Sequence, residues 1–173
     1  MLGVVLLSLV ARAQEATAEE KALFARNLGK LIKVEPAPVA GEALGKVFAA
    51  KFYRVKVGMG GEENVKTLLA ARVGDDISDV SMPGTGAEMA ALQKVVKLEF
   101  KLKTDADGAA FEAALDVLYP FDTRYDEKRK AIRHVDGEWS FIRGEFIDKF
   151  KGFVVTTGAD GAIKSIKYSQ EIK

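Results

Sequence analysis

Two Asp-Gly pairs, Asp136-Gly137 and Asp160-Gly161, each stand between runs rich in β-formers, and they constrain the fold more than any other feature of the chain. A short Asp-Gly loop supplies the positive φ angles of a hairpin turn whose twist matches the strands on either side. The spacing predicts strands over 128–135, 138–143, 152–157 and 162–170, hence two hairpins in series and a four-strand meander. With a two-residue loop at Asp136-Gly137, His134 falls opposite Trp139 and Ile132 opposite Phe141, which gives the ribbon one aromatic face for helices to cover. The stretch from Glu145 to Phe150 fits either a helical turn or a continuation of the strand.

Upstream, Thr17 and Glu20 stand at capping-box spacing ahead of an apolar stripe of Phe24, Leu28, Leu31 and Ile32, so a helix is expected over 18–33. Glu35-Pro36-Ala37-Pro38 ends it as a stiff extended connector. Phe52, Tyr53, Val55 and Val57, interleaved with Lys51, Arg54 and Lys56, read as a half-buried strand within 46–57. Gly58 to Gly61 break it, and Val65, Leu68, Leu69 and Val73 then recur at helical spacing over 62–73 before Gly74. Residues 75–86 read as a polar loop with a turn at Pro83-Gly84, followed by a short helix capped by Thr85 and Glu88 and ending near Leu92.

The cleanest alternation in the chain runs over 94–103, where Val96, Leu98, Phe100 and Leu102 face Lys97, Glu99, Lys101 and Lys103. It predicts a strand with one wet face, as in an antiparallel sheet. Asp105 or Asp107 is then expected to cap a helix carrying Ala110, Phe111, Ala114, Leu115 and Leu118, which Pro120 stops. The strand–Gly–helix order around 53–57 and 98–102 hints at an internal β-α duplication, though the match is short and needs an adjusted register. The expected fold class is α+β, with a single antiparallel sheet of about six strands that ends in the four-strand meander and with helices packed on one face.

A chain of 173 residues suits one domain with its own hydrophobic core, here placed over 14–173. Twenty-six Lys and Arg against 25 Asp and Glu leave no net field to attract nucleic acid, so none is expected as a partner. The chain has no cysteine, which excludes disulfides, a thiolate nucleophile and thiolate-held zinc or iron–sulfur groups.

An apolar run from Leu2 to Val10 leads into Ala11-Arg12-Ala13. This order fits the core and A-x-A site of a secretory signal peptide, so residues 1–13 are read as a signal and the mature chain as periplasmic or secreted, starting near Gln14. No Lys or Arg precedes the run, and a buried N-terminal strand is the alternative. Gln14 stands where a lipoprotein anchor needs cysteine, and no later run approaches the roughly 20 apolar residues of a spanning helix. No stable membrane anchor is therefore expected after cleavage.

Fragments of several chemical motifs occur, each short of its essential parts. Gly58-Met59-Gly60-Gly61 has Glu63 at the third glycine position of a dinucleotide loop, and Pro83-Gly84-Thr85-Gly86 lacks the Gly-Lys-Ser/Thr of a phosphate loop. Asp105-Ala106-Asp107-Gly108 has Lys103 and Ala114 where a calcium loop needs its first and last ligands, so a helix cap explains it better. No metal and no cofactor is expected. Asp75, Asp76 and Asp79 beside Ser78 and Ser81 could form an acid–base pair or a weak cation site, but equally a solvated loop. His134 is the single histidine, so any Ser-His-Asp site depends on it, and Ser140 on the facing strand points to the other side. Lys128-Arg129-Lys130 with Arg133 reads as an anion site or as the charged edge of a hairpin that discourages strand pairing between molecules.

The leading expectation is a small exported, non-catalytic binding or accessory protein of a bacterial envelope. A small apolar ligand or a protein partner would sit between sheet and helices, against Tyr53, Phe100, His134, Trp139 and Phe141. The alternative is a periplasmic hydrolase or isomerase using His134 or the carboxylates of Asp75, Asp76 and Asp79. A third reading is a structural protein that self-associates through edge strands.

Overall fold

The computed structural model describes residues 15–28, 32–59, 65–82, 86–120, 130–146 and 149–172. The signal-like segment 1–13, Gly60-Gly61, the Pro83-Gly84-Thr85 turn and Lys128-Arg129 lie outside the described residues. In chain order the elements are α1 (Ala18–Leu28), β1 (Ile32–Val39), α2 (Glu42–Val47), β2 (Lys51–Met59), β3 (Val65–Val73) and β4 (Asp76–Asp79). They continue with α3 (Gly86–Lys94), α4 (Asp105–Leu118), β5 (Lys130–Val135), β6 (Glu138–Phe146), β7 (Lys149–Thr157) and β8 (Ile163–Ile172).

The class is α+β, but the single sheet of about six strands is replaced by two four-stranded antiparallel sheets, ordered β1-β2-β3-β4 and β5-β6-β7-β8. Nor do helices cover one face only. On the first sheet, Tyr53, Val55, Val57 and Ala70 pack on one side with Phe24 of α1, while Phe52, Leu69 and Ala71 join α2, α3 and α4 on the other.

Three local differences explain the extra strands. Ile32 opens β1 where helix was expected, and the two prolines lie inside that strand, with Pro36 opposite Val55 and Pro38 opposite Tyr53. β1 is at the sheet edge, the one place where a residue without an N–H sits in a strand without breaking a ladder. The segment read as a helix over 62–73 is β3, paired along β2 from Lys51–Arg72 to Gly58–Val65. Its neighbours Ala70 and Ala71 are both buried, against opposite faces, so polar alternation is lost and the apolar residues mimic helical spacing. Gly74, at φ 59°, then turns the chain into β4, which occupies the first part of the expected loop.

The alternating segment 94–103 is not a strand. Its backbone groups are satisfied one by one: Lys97 N–H donates to Val47 O at 2.9 Å, Val95 O accepts from Ala49 N–H at 2.8 Å, and Leu102 N–H donates to Gly161 O at 2.9 Å. A single bridge joins Val96 to Phe48. Phe100 and Leu102 turn toward the core while Leu98 is 91% exposed, so the four apolar residues share no face. The proposed β-α duplication falls with this strand.

The second sheet follows the expected meander, except that the β7–β8 connection spans 158–162 instead of a two-residue Asp160-Gly161 loop, with the left-handed conformation at Gly161 and not at Asp160. Asp136 and Gly137 take φ 48° and 79°, the left-handed pair of the tight hairpin, and His134 pairs with Trp139 and Ile132 with Phe141. The Glu145–Phe150 stretch continues the strands, β6 reaching Phe146 and β7 starting at Lys149. Helix α4 lies against this sheet, with Phe111 5.1 Å from Phe141 and 6.1 Å from Phe48, so one core links both sheets. The N-cap of α4 is Thr104, one residue before the expected Asp105. Asp107 reciprocates, accepting from the Thr104 N–H at 2.9 Å, and that bond holds its carboxyl below the usual range. A carboxylate engaged in this way is a cap and not a cation ligand.

Candidate functional site

The sequence-expected residues fall into two groups. Trp139 and Phe141 project from β6 onto α4 at 1% and 0% exposure, and Phe100 lies 6.0 Å from Phe111 in a stacked arrangement. The indole sits on the helix backbone itself, since a Cβ at Gly108 would come within 2.6 Å of Trp139 Cζ3. His134 stacks outside on Trp139, 4.1 Å between centroids and 9° between planes. Phe100, Trp139 and Phe141 thus fill the space between α4 and the second sheet with side chains, and His134 covers it from the solvent side.

Tyr53 stands apart, on β2 beneath α1, edge-on to Phe24 at 4.9 Å. Its hydroxyl donates to Glu20, which also accepts the Thr17 N–H at 2.9 Å and lies 3.4 Å from Arg72 Nη1. The Tyr53 hydroxyl bond, then the Thr17 amide, hold the Glu20 carboxyl below its ordinary range. Burial pushes the Tyr53 hydroxyl up, and the Glu20 charge adds to this. Beside this chain of bonds opens a cleft of about 350 Å³, walled by Pro38, Leu44 and Phe52, with Thr17, Glu20 and Tyr53 at its polar side and Ala40 and Lys51 at exposed positions. The capping residues of α1 therefore also build the cleft, because the helix start is anchored to β2 through Glu20.

A second polar cluster was not anticipated from the sequence. Glu112 and Asp116, one turn apart on α4, meet Lys130 of β5 and Arg143 of β6. Arg143 Nη1 donates to Asp116 at 2.9 Å, its Nη2 bonds the same carboxylate oxygen, and Lys130 also bonds Asp116. Glu112 lies at ion-pair distance only, 3.4 Å from Lys130 and 3.6 Å from Arg143, and neither of its oxygens accepts a hydrogen bond among the described residues. Burial raises its carboxyl above the usual range, against the pull of Arg143 and Lys130. A glutamate between Phe111 and Leu115 on the apolar stripe of a helix was the available signal.

The remaining catalytic candidates are not brought together. Asp79 is bound by the amide and hydroxyl of Ser81, Asp75 and Asp76 are exposed around the β3–β4 turn, and His134 belongs to the other sheet. Ser140 pairs with Arg133, on the face opposite His134. Among the described residues no group of three or more His, Asp or Glu is placed to hold a metal ion, and no helix is long and apolar enough to cross a membrane.

The chain matches no protein-family model, no curated protein and no solved structure. Geometry alone carries the functional reading. Further open spaces among the described residues are a groove of about 400 Å³ between α3 and β8, walled by Met89, Ile166 and Tyr168, and a pocket of about 250 Å³ between β2, β3 and the end of α4.

Proposed function

We propose that the protein is a small exported, non-catalytic binding or accessory protein of a bacterial envelope, holding an uncharged, largely apolar ligand or partner side chain in the cleft between α1, α2 and β2. The observation that carries this reading is the chemistry of the cleft. Its polar side is already self-satisfied, with Tyr53 donating to Glu20 and Glu20 also engaged by Thr17 and Arg72, so an occupant needs to supply no charge. Pro38, Val39 and Leu44 line it, the exposed Glu15 and Lys51 stand at its rim, and about 350 Å³ is within the range of small-ligand sites. Export rests on the apolar run and A-x-A order of residues 2–13.

The test is titration with N-phenyl-1-naphthylamine, an uncharged apolar fluorophore, of the wild-type chain and of Ala40→Trp, which fills the cleft from an exposed position. A fluorescence rise in the wild type that Ala40→Trp abolishes supports the reading. No rise, or the same rise in both, contradicts it.

A further inference from the structure

On the face of the first sheet opposite Tyr53, Arg54 stands between Ala37 of β1 and Leu69 of β3. It is half-buried, and its Nη2 donates to the carbonyl of Leu118 at 3.0 Å and to that of Val117 at 3.5 Å, in the last turn of α4. Those two bonds hold the guanidinium in place but use one of its nitrogens. Arg72 and Arg143 each pair with a carboxylate, whereas Arg54 has none within ion-pair distance among the described residues. A guanidinium presents a planar fork of five donors, and burying it in part without an anion is costly. Arg54 lines the pocket of about 250 Å³, together with the Thr67 side chain and an apolar wall of Met82, Leu118, Tyr119 and Pro120. That wall is set firmly, since the Tyr119 hydroxyl donates to Val80 O at 2.6 Å.

We infer that this pocket is a second binding site, for a small carboxylate with an aromatic or short apolar body, the carboxylate taken by the edge of Arg54 that no described residue engages and the body lying along Leu118, Tyr119 and Pro120. A fixed fork matches the two oxygens of a carboxylate, and a charge-assisted pair of this kind is worth roughly tenfold or more in affinity. The site shares no lining residue with the cleft beside Tyr53.

Benzoate is the probe, with benzyl alcohol as its uncharged counterpart and inorganic phosphate as a bare anion, read by amide chemical shifts in two-dimensional NMR. Benzoate is expected to move the signals of Leu118 and Tyr119 saturably, and the other two compounds are not. Arg54→Gln is expected to weaken benzoate at least about tenfold. Because Arg54 also caps α4, Thr67→Trp, which fills the pocket from an exposed strand position, serves as the second variant and is expected to abolish binding. Failure of benzoate to bind the wild type, equal binding to Thr67→Trp, or equal shifts with phosphate or benzyl alcohol would overturn the inference.

Discussion

Replacing Glu112 by glutamine removes a buried charge while keeping the side chain's shape. The two attractions on that carboxylate, at 3.4 and 3.6 Å, are each worth a few kcal/mol at an effective dielectric suited to proteins, about 4 kcal/mol at 4 Å. Against them stand repulsion by Asp116 on the same helix and the cost of taking a carboxylate out of water, several kcal/mol per ion. Among the described residues neither oxygen accepts a well-aligned hydrogen bond to offset that cost, and both cations keep Asp116 when Glu112 is neutral. Desolvation wins, which is the sense of the raised carboxyl. A group whose folded-state pKa is raised contributes its stability in full below the ordinary glutamate range and loses it as pH rises through the raised value. Glu112→Gln is therefore expected to match the wild type in mild acid and to exceed it by about 1 kcal/mol at neutral pH. Asp116→Asn is expected to cost about 2 kcal/mol, because Arg143, 5% exposed in its side chain, then loses the carboxylate that binds it. Urea denaturation followed across pH measures both. A Glu112→Gln variant less stable than the wild type, and more so at neutral pH than in acid, would refute the argument by showing that the ionised carboxylate is a net favourable partner.

Other consequences are equally direct. Gly108→Ala gains helix propensity but drives a methyl to 2.6 Å from the Trp139 ring, so a net loss of about 1–2 kcal/mol and a red-shifted tryptophan emission are expected; unchanged stability would deny the close packing. Leu98→Lys is expected to shift stability by less than about 0.5 kcal/mol while Leu102→Ala costs about 3 kcal/mol, and similar losses at both would restore the alternating strand over 94–103. Tyr53→Phe removes the donor that most holds the Glu20 carboxyl down, so Glu20 is expected to titrate higher by carboxyl NMR; an unmoved titration would break the link between α1 and β2.

The C-terminal half was legible because its information is local. Asp136-Gly137 sets the turn, the turn sets the register, and the register places His134 against Trp139. In the first sheet β2 was legible, with Val55 and Val57 buried and Lys56 exposed, whereas β3 was not, because its centre is buried on both faces. There the period-2 signal disappears, Ala70 and Ala71 being equally hidden, and two prolines on β1 read as a connector when the sheet edge tolerates them. The segment 94–103 failed in the opposite sense: its alternation is real, but only Val95 to Lys97 meet a neighbouring stretch, residues 47–49, and the next bond out of the segment goes to Gly161, so no continuous ladder forms. Of the site, Tyr53 and the Thr17–Glu20 capping pair were visible in the sequence, but their meeting was not, since it joins residues 33 positions apart. Arg54 gave no signal beyond that of a charged residue on an alternating strand.

Whether the cleft beside Tyr53 holds a ligand in an exported protein is read by native mass spectrometry of the chain recovered from the periplasm or medium of a bacterial host. A mass beginning near Gln14 is expected, with a retained small molecule that is missing from Ala40→Trp. An unprocessed chain with no adduct, or an adduct retained equally by Ala40→Trp, would contradict the proposed function.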